Sequence, residues 1–133
     1  QYHRALKVFY YVSTLQPSQP FAHFYVAITC LAFAMHKNVE NRHQMVLFGV
    51  ASLMKYKELR SNQIESNYNI GRAFQQIGLD HQAISYYEKV LSDTHTRSNR
   101  NYKPYAAHNL ASIYRKSGAD ELARQILRRH ATF

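Results

Sequence analysis

Residues 65–91 read ESNYNIGRAFQQIGLDHQAISYYEKVL, and the order of small and large side chains in this stretch decides the fold. Ile70, Ala73, Phe74 and Ile77 recur at i, i+3, i+4 and i+7, the spacing that gathers apolar side chains on one helix face. Gly78 then stops the helix, because glycine adopts the left-handed backbone of a helix end at little cost. Asp80 is expected to open the next helix by accepting hydrogen bonds from its free N–H groups. Ala83, Ile84, Tyr87, Val90 and Leu91 make the second stripe. The plan returns forty residues later. Leu110-Ala111-Ser112-Ile113-Tyr114 is followed by Gly118, Asp120, Ala123 and Leu127. Small residues at Gly71, Ala83, Ala111 and Ala123 let paired helices approach, and the large residues beside them fill the gap.

This constellation resembles the 34-residue tetratricopeptide repeat, whose pattern is a hydrophobic–small pair, an aromatic, a glycine, an alanine and a second aromatic. The resemblance implies an all-α fold, a superhelical α-solenoid of antiparallel helix pairs with about seven helices. Outward from the quoted stretch, residues 1–17 read as half a repeat, with Ala5, Phe9, Val12 and Pro17 in second-helix spacing. Residues 20–60 read as an atypical long repeat, with Gly49, Leu53 and Tyr56 in the second-helix positions. Residues 64–95 form the next repeat, 96–103 a basic linker and 104–133 the terminal repeat. Gln1 falls inside a helical pattern, so the chain is expected to continue before it. The face carrying Ala5, Phe9 and Val12 is expected to lack its covering helix, which predicts self-association or instability of the chain alone.

Composition agrees with helices. Apolar residues make up 46% of the 133 residues, while four glycines and three prolines are too few for a sandwich of short strands. Phe21–Met35 holds 13 apolar residues of 15, short of the roughly 20 that a membrane span needs. It therefore reads as a helix buried in protein. Cys30 is the single cysteine, so neither an internal disulfide nor a four-cysteine zinc site can form. With no N-x-S/T acceptor either, the chain points to a reducing compartment.

Between Glu65 and Leu91 the likeness becomes narrower. Glu65, Ser66, Tyr68, Asn69, Gly71, Arg72, Gln76, Gly78, Ala83, Ile84, Tyr86, Tyr87, Lys89 and Leu91 resemble the C-terminal repeats of one subunit family. That family is the tetratricopeptide subunit of RNA polymerase III general transcription factor IIIC. Arg42-His43, Gly49, Leu53 and Tyr56 resemble its long helix, and Asn109-Leu110, Ile113-Tyr114, Ser117-Gly118 and Ala123-Arg124 its final repeat. On this resemblance, Phe133 is expected to lie near the natural C-terminus. The resemblance implies a non-catalytic scaffold at transfer-RNA-type promoters in the nucleus. Its partners would be other factor IIIC subunits, with factor IIIB components beyond them, and DNA reached through the assembled complex. It implies no cofactor, no small-molecule substrate and no membrane. The connector Ser92–Lys103 does not align, and no role passes to it.

Repeat position places Tyr68, Arg72, Gln75 and Gln76 on the concave face, with Tyr105, His108, Ser112, Arg115 and Lys116 from the next repeat. Such donors suit an extended or helical acidic peptide. Net charge is +9, and residues 97–133 hold eight Lys/Arg against two acids. Arg97, Arg100, Lys103, Arg124, Arg128 and Arg129 make a basic patch that could meet DNA phosphates or an acidic segment. Solvated helix faces and helix C-termini favoured by the dipole would use the same residues. Aromatics do not interleave with these cations as in single-strand binders.

Other chemistries find no support. The eight histidines include no pair three or four apart, so no helical metal-ligand pair arises. His81 follows Asp80, but adjacent helical residues diverge. No glycine-rich phosphate loop or nucleophile elbow occurs. Asn69 and Asn109 match the asparagines of chaperone carboxylate clamps, yet Tyr68 and His108 stand where the clamp lysines belong. Two alternatives to the scaffold remain: direct phosphate contact by the basic half, and a generic peptide-binding adaptor.

Overall fold

The structure, a computed structural model, describes residues 2–36, 40–94 and 101–131, the side chains of 2, 3 and 5 excepted. Those residues form seven α-helices and no strand. They divide into two compact units, 1–61 and 62–133.

The first unit contains α1 (Tyr2–Leu15), α2 (Pro20–Ala34) and α3 (Arg42–Leu59). Pro20 sits at the start of α2, where a missing N–H costs nothing, and the Gln19 side chain accepts from the Phe21 N–H. α2 packs against both α1 and α3, burying Ala22, Val26, Ala27, Cys30, Leu31 and Ala34. At Gly49 a Cβ would lie 2.9 Å from Leu31 Cγ and 3.3 Å from the Ala27 carbonyl, so the α3 backbone rests on α2. Tyr56 is wholly buried, its ring 4.7 Å from Phe24 and 6.0 Å from Phe21. Arg42 reaches back to the end of α2, donating from Nε to the Ala34 carbonyl at 2.9 Å and from Nη2 to the His36 carbonyl at 2.7 Å. Carbonyls at a helix end lack intrahelical partners, and the guanidinium supplies them. No helix among the described residues is long and apolar enough to cross a membrane.

One expectation for α1 needs correction. Phe9 is not on an uncovered face, because its ring stacks on Tyr25 at 5.3 Å. The exposed apolar face is instead Val8, Tyr11, Val12 and Leu15, again at i, i+3, i+4 and i+7. The Ala5 side chain lies outside the described residues.

The second unit contains α4 (Gln63–Gln76), α5 (Asp80–Ser92), α6 (Lys103–Lys116) and α7 (Asp120–His130). Successive helices pack on one another. Asn62 caps α4, its Oδ1 accepting from the Glu65 N–H at 3.1 Å. Gly78 and Gly118 both have φ of +86°, as their place after a helix requires. The following residues close the turn: the Leu79 N–H donates to the Phe74 carbonyl at 2.9 Å, and the Ala119 N–H to the Tyr114 carbonyl at 2.8 Å. This six-to-one bond marks a Schellman end.

That turn also corrects the expected capping. Leu79 and Ala119, not the aspartates, occupy the N-cap positions, and neither makes a side-chain cap bond. The residue that completes the Schellman turn doubles as the next helix's cap, so Asp80 and Asp120 fall one place inside. There their carboxylates favour the positive end of the helix dipole.

Candidate partner-binding groove

α4 and α6 run through the second unit as the first helices of their pairs, and a groove of about 470 Å³ lies along them. Glu65, Tyr68, Asn69 and Arg72 line it from α4. Tyr102, Tyr105 and Asn109 line it from the cap and body of α6. Each set follows helical spacing, so one face of each helix supplies the wall.

The floor is set by how α4 meets α5. Gly71 has no side chain because Tyr87 occupies that space: an added Cβ would lie 2.9 Å from ring atoms Cδ1 and Cε1. Tyr87 is fully buried, and its hydroxyl donates to Gln75 Oε1 at 2.6 Å. Burial pushes the phenol's pKa up, while hydrogen bonding with the Asn109 amide opposes the shift. A buried hydroxyl left without a partner would be costly, so these amides belong to the core's construction. Above it, the Tyr68 ring lies 6.2 Å from Tyr87 and 5.3 Å from Tyr102. The Asn109 Nδ2 donates to the Tyr68 hydroxyl at 3.4 Å. The Arg72 guanidinium is 5.9 Å from the Tyr68 ring centroid, a cation–π distance, and the residue is exposed.

The residues named from repeat position divide. Tyr68, Arg72 and Tyr105 line the groove. Gln75 is half-buried and tied to Tyr87, so it supports the floor. Gln76, His108, Ser112 and Arg115 are exposed outside the lining. Lys116 reaches Asp80 at 3.4 Å across to the start of α5. The groove adds Glu65, Asn69, Tyr102 and Asn109 to the set. Glu65 was legible as the position one turn and two turns before Tyr68 and Arg72. Tyr102 was hidden by the unalignable connector before it.

Of the basic patch, Arg97 and Arg100 lie outside the described residues. Lys103 starts α6, and Arg124, Arg128 and Arg129 are exposed on α7. Burial, then Arg129 and then Lys103, hold His130 below its usual pKa, which places three basic side chains near one another at the end of α7. Arg124 contacts Glu121 at 3.6 Å. A shallow pocket of about 390 Å³ opens beside Gln125, Ile126, Arg128 and Arg129. Among the described residues, no three His, Cys, Asp or Glu come together as metal ligands.

Comparison with known proteins fits this architecture. Tetratricopeptide-repeat family models match residues 64–92 and 106–132. The chain is 33% identical over 117 residues to the human General transcription factor 3C polypeptide 3. It is 32% identical over 137 residues to the Transcription factor tau subunit sfc4 of Schizosaccharomyces pombe, and 31% over 120 residues to the Transcription factor tau 131 kDa subunit of Saccharomyces cerevisiae. The chain is a tetratricopeptide-repeat relative of these factor IIIC subunits. The matches cover 84%, 90% and 86% of the chain, but the chain spans only 13%, 14% and 11% of the three relatives. In tetratricopeptide terms, Gly71, Ala83 and Tyr87 are the small–small–aromatic set of the first matched repeat. In the second, Ala111 and Ala123 keep the small pair, and Leu127 stands where the first repeat has the aromatic.

Proposed function

We propose that this chain is a non-catalytic scaffold segment of a nuclear transcription factor of the IIIC type, and that its groove holds an extended segment of a sister subunit. The observation that carries the reading is the groove itself. Tyr68 and exposed Tyr105, with Asn69 beside them, Arg72 at the rim and Glu65 in the wall, offer stacking surface, an amide and both charges to a peptide. Tyrosine and arginine are the side chains that most often anchor protein partners. The relatives, all named as transcription-factor components, support a place within such an assembly. Factor IIIB components are the next partners in line, through the same resemblance.

The test is retention of purified factor IIIC subunits by the immobilised chain. Binding of at least one subunit is expected, weakened about tenfold or more by Tyr68→Ala with Arg72→Ala, as for central interface anchors. Retention of no subunit at moderate salt, or retention indifferent to both changes, would reject the groove.

A second reading rests on α7. Arg124, Arg128 and Arg129 share one exposed arc with Gln125 and with Glu121, which pairs with Arg124, and no large apolar residue interrupts it. Such a surface suits phosphates, which need charge and no apolar anchor. If duplex DNA lies there, changing the three arginines to alanine should lower the log–log salt slope of binding by about 2.7, at ~0.9 per phosphate. An unchanged slope removes this reading.

A further inference from the structure

α3 carries more apolar surface than its own unit uses. Its buried arc is Gly49, Leu53 and Tyr56. At about 100° per residue, Val46, Val50, Met54 and Leu47 fall together on a neighbouring arc about 100° wide. They are 39%, 43%, 59% and 70% exposed. The stripe runs from Val46 to Met54, eight rises of ~1.5 Å, or about 12 Å. A helix apolar over both arcs is one that expects cover on both. Four large apolar residues contiguous in water mark an interaction site rather than scatter.

Charge says what kind of cover. Residues 1–61 contain seven Lys/Arg and two acids, an excess of +5. On the arc of the stripe, His43 stands at one end and Lys57 at the other. Glu58, the one acid of α3, is paired with Lys55 at 3.9 Å. A second copy of the chain would bring the same positive excess to the contact and be repelled. A partner carrying acids beside its apolar anchors is attracted instead.

We infer that the Val46–Leu47–Val50–Met54 face of α3 docks an acidic amphipathic helix from another protein. One apolar residue per turn on α3 presents a ridge that fits the groove of a second helix. The match needs anchors at i, i+4 and i+7 on the incoming helix, with Asp or Glu flanking them.

The experiment selects binders to the 133-residue chain from a displayed library of helices. Each is about 18 residues long, enough to hold helix. Anchor positions carry Leu, Ile, Met or Phe, and Asp, Glu, Lys and Arg are randomised on the rest. The enriched pool should be net acidic. Its affinity should fall about tenfold with Leu47→Ala and again with Met54→Ala, and should be unchanged by Val8→Ala on α1. Both α3 residues are more than half exposed, so the variants keep their helical circular dichroism. Failure to enrich, a neutral or basic pool, binding indifferent to Leu47 and Met54, or adsorption to anionic vesicles through this face instead would each overturn the assignment.

Discussion

Replacing Gly71 by alanine tests the packing on which the groove stands. In an exposed helix interior this change would stabilise by about 1 kcal/mol, because alanine loses less backbone freedom than glycine. Here the new Cβ would lie 2.9 Å from two Tyr87 ring carbons and 3.3 Å from a third. Ordinary contact begins near 3.4 Å, so the ring must move by about half an ångström. It has little room, being fully buried and held through its hydroxyl by Gln75 at 2.6 Å. Overpacking of this kind costs roughly 1–3 kcal/mol, which outweighs the propensity gain and leaves a net loss of up to about 2 kcal/mol. The repeat forty residues on carries Ala111 and Leu127 at the equivalent positions, so Tyr87→Leu should make room. Alone, Tyr87→Leu should cost about 2–4 kcal/mol through the lost ring and hydrogen bond. Combined with Gly71→Ala, it should cost at least ~1 kcal/mol less than the sum, a coupling typical of residues in contact. Urea unfolding followed by circular dichroism measures all four corners of the cycle. A stabilising Gly71→Ala, or additivity within ~0.5 kcal/mol, would refute the reasoning.

Gly78→Ala and Gly118→Ala should each cost about 1–2 kcal/mol from backbone strain alone, and nearly equally. Both glycines have φ of +86°, and nothing lies within 4 Å of the added methyl. Cys30 has no exposed surface, and burial pushes its thiol up to about 11. Alkylation at mildly alkaline pH should therefore track opening of the first unit, be nearly blocked in the native chain, and reach the free-thiol rate in denaturant. His130 is held below its ordinary value of 6.5 by burial and by Arg129 and Lys103, so its neutral form is the one that the fold favours. The stability this contributes is complete above pH 6.5 and is lost as pH falls towards the lower folded value, because the unfolded chain protonates first. Thermal unfolding of His130→Gln should show a shallower decline over that acidic range.

Much of the fold was legible because helix periodicity and glycine stops are local signals. Ile70, Ala73 and Phe74 on one helix, with Ala83 and Tyr87 on the next, announce a helical pair before any coordinates. The aspartates misled by one position, since the Schellman turn consumes the residue that sequence alone assigns to the linker. Phe9 misled for a different reason. Helical spacing shows which residues share a face, but not that a neighbour such as Tyr25 will stack on it. The groove was half legible: Tyr68, Arg72 and Tyr105 follow from repeat position. Gln75 was drawn inward by the Tyr87 hydroxyl, a long-range polar demand that no periodicity encodes. Tyr102 became visible only when the start of α6 was fixed in space.

Beneath the groove, Gln75 and Tyr68 of α4, Tyr87 of α5 and Asn109 of α6 are laced together through hydroxyls and amides. The wall of the groove is therefore braced from below by a hydrogen-bonded core. Tyr87 does not line the groove, yet it packs against Tyr68, which does. If a peptide lies in the groove as proposed, repacking that one hidden ring would refit the slot to a thicker or thinner guest while leaving every lining residue unchanged.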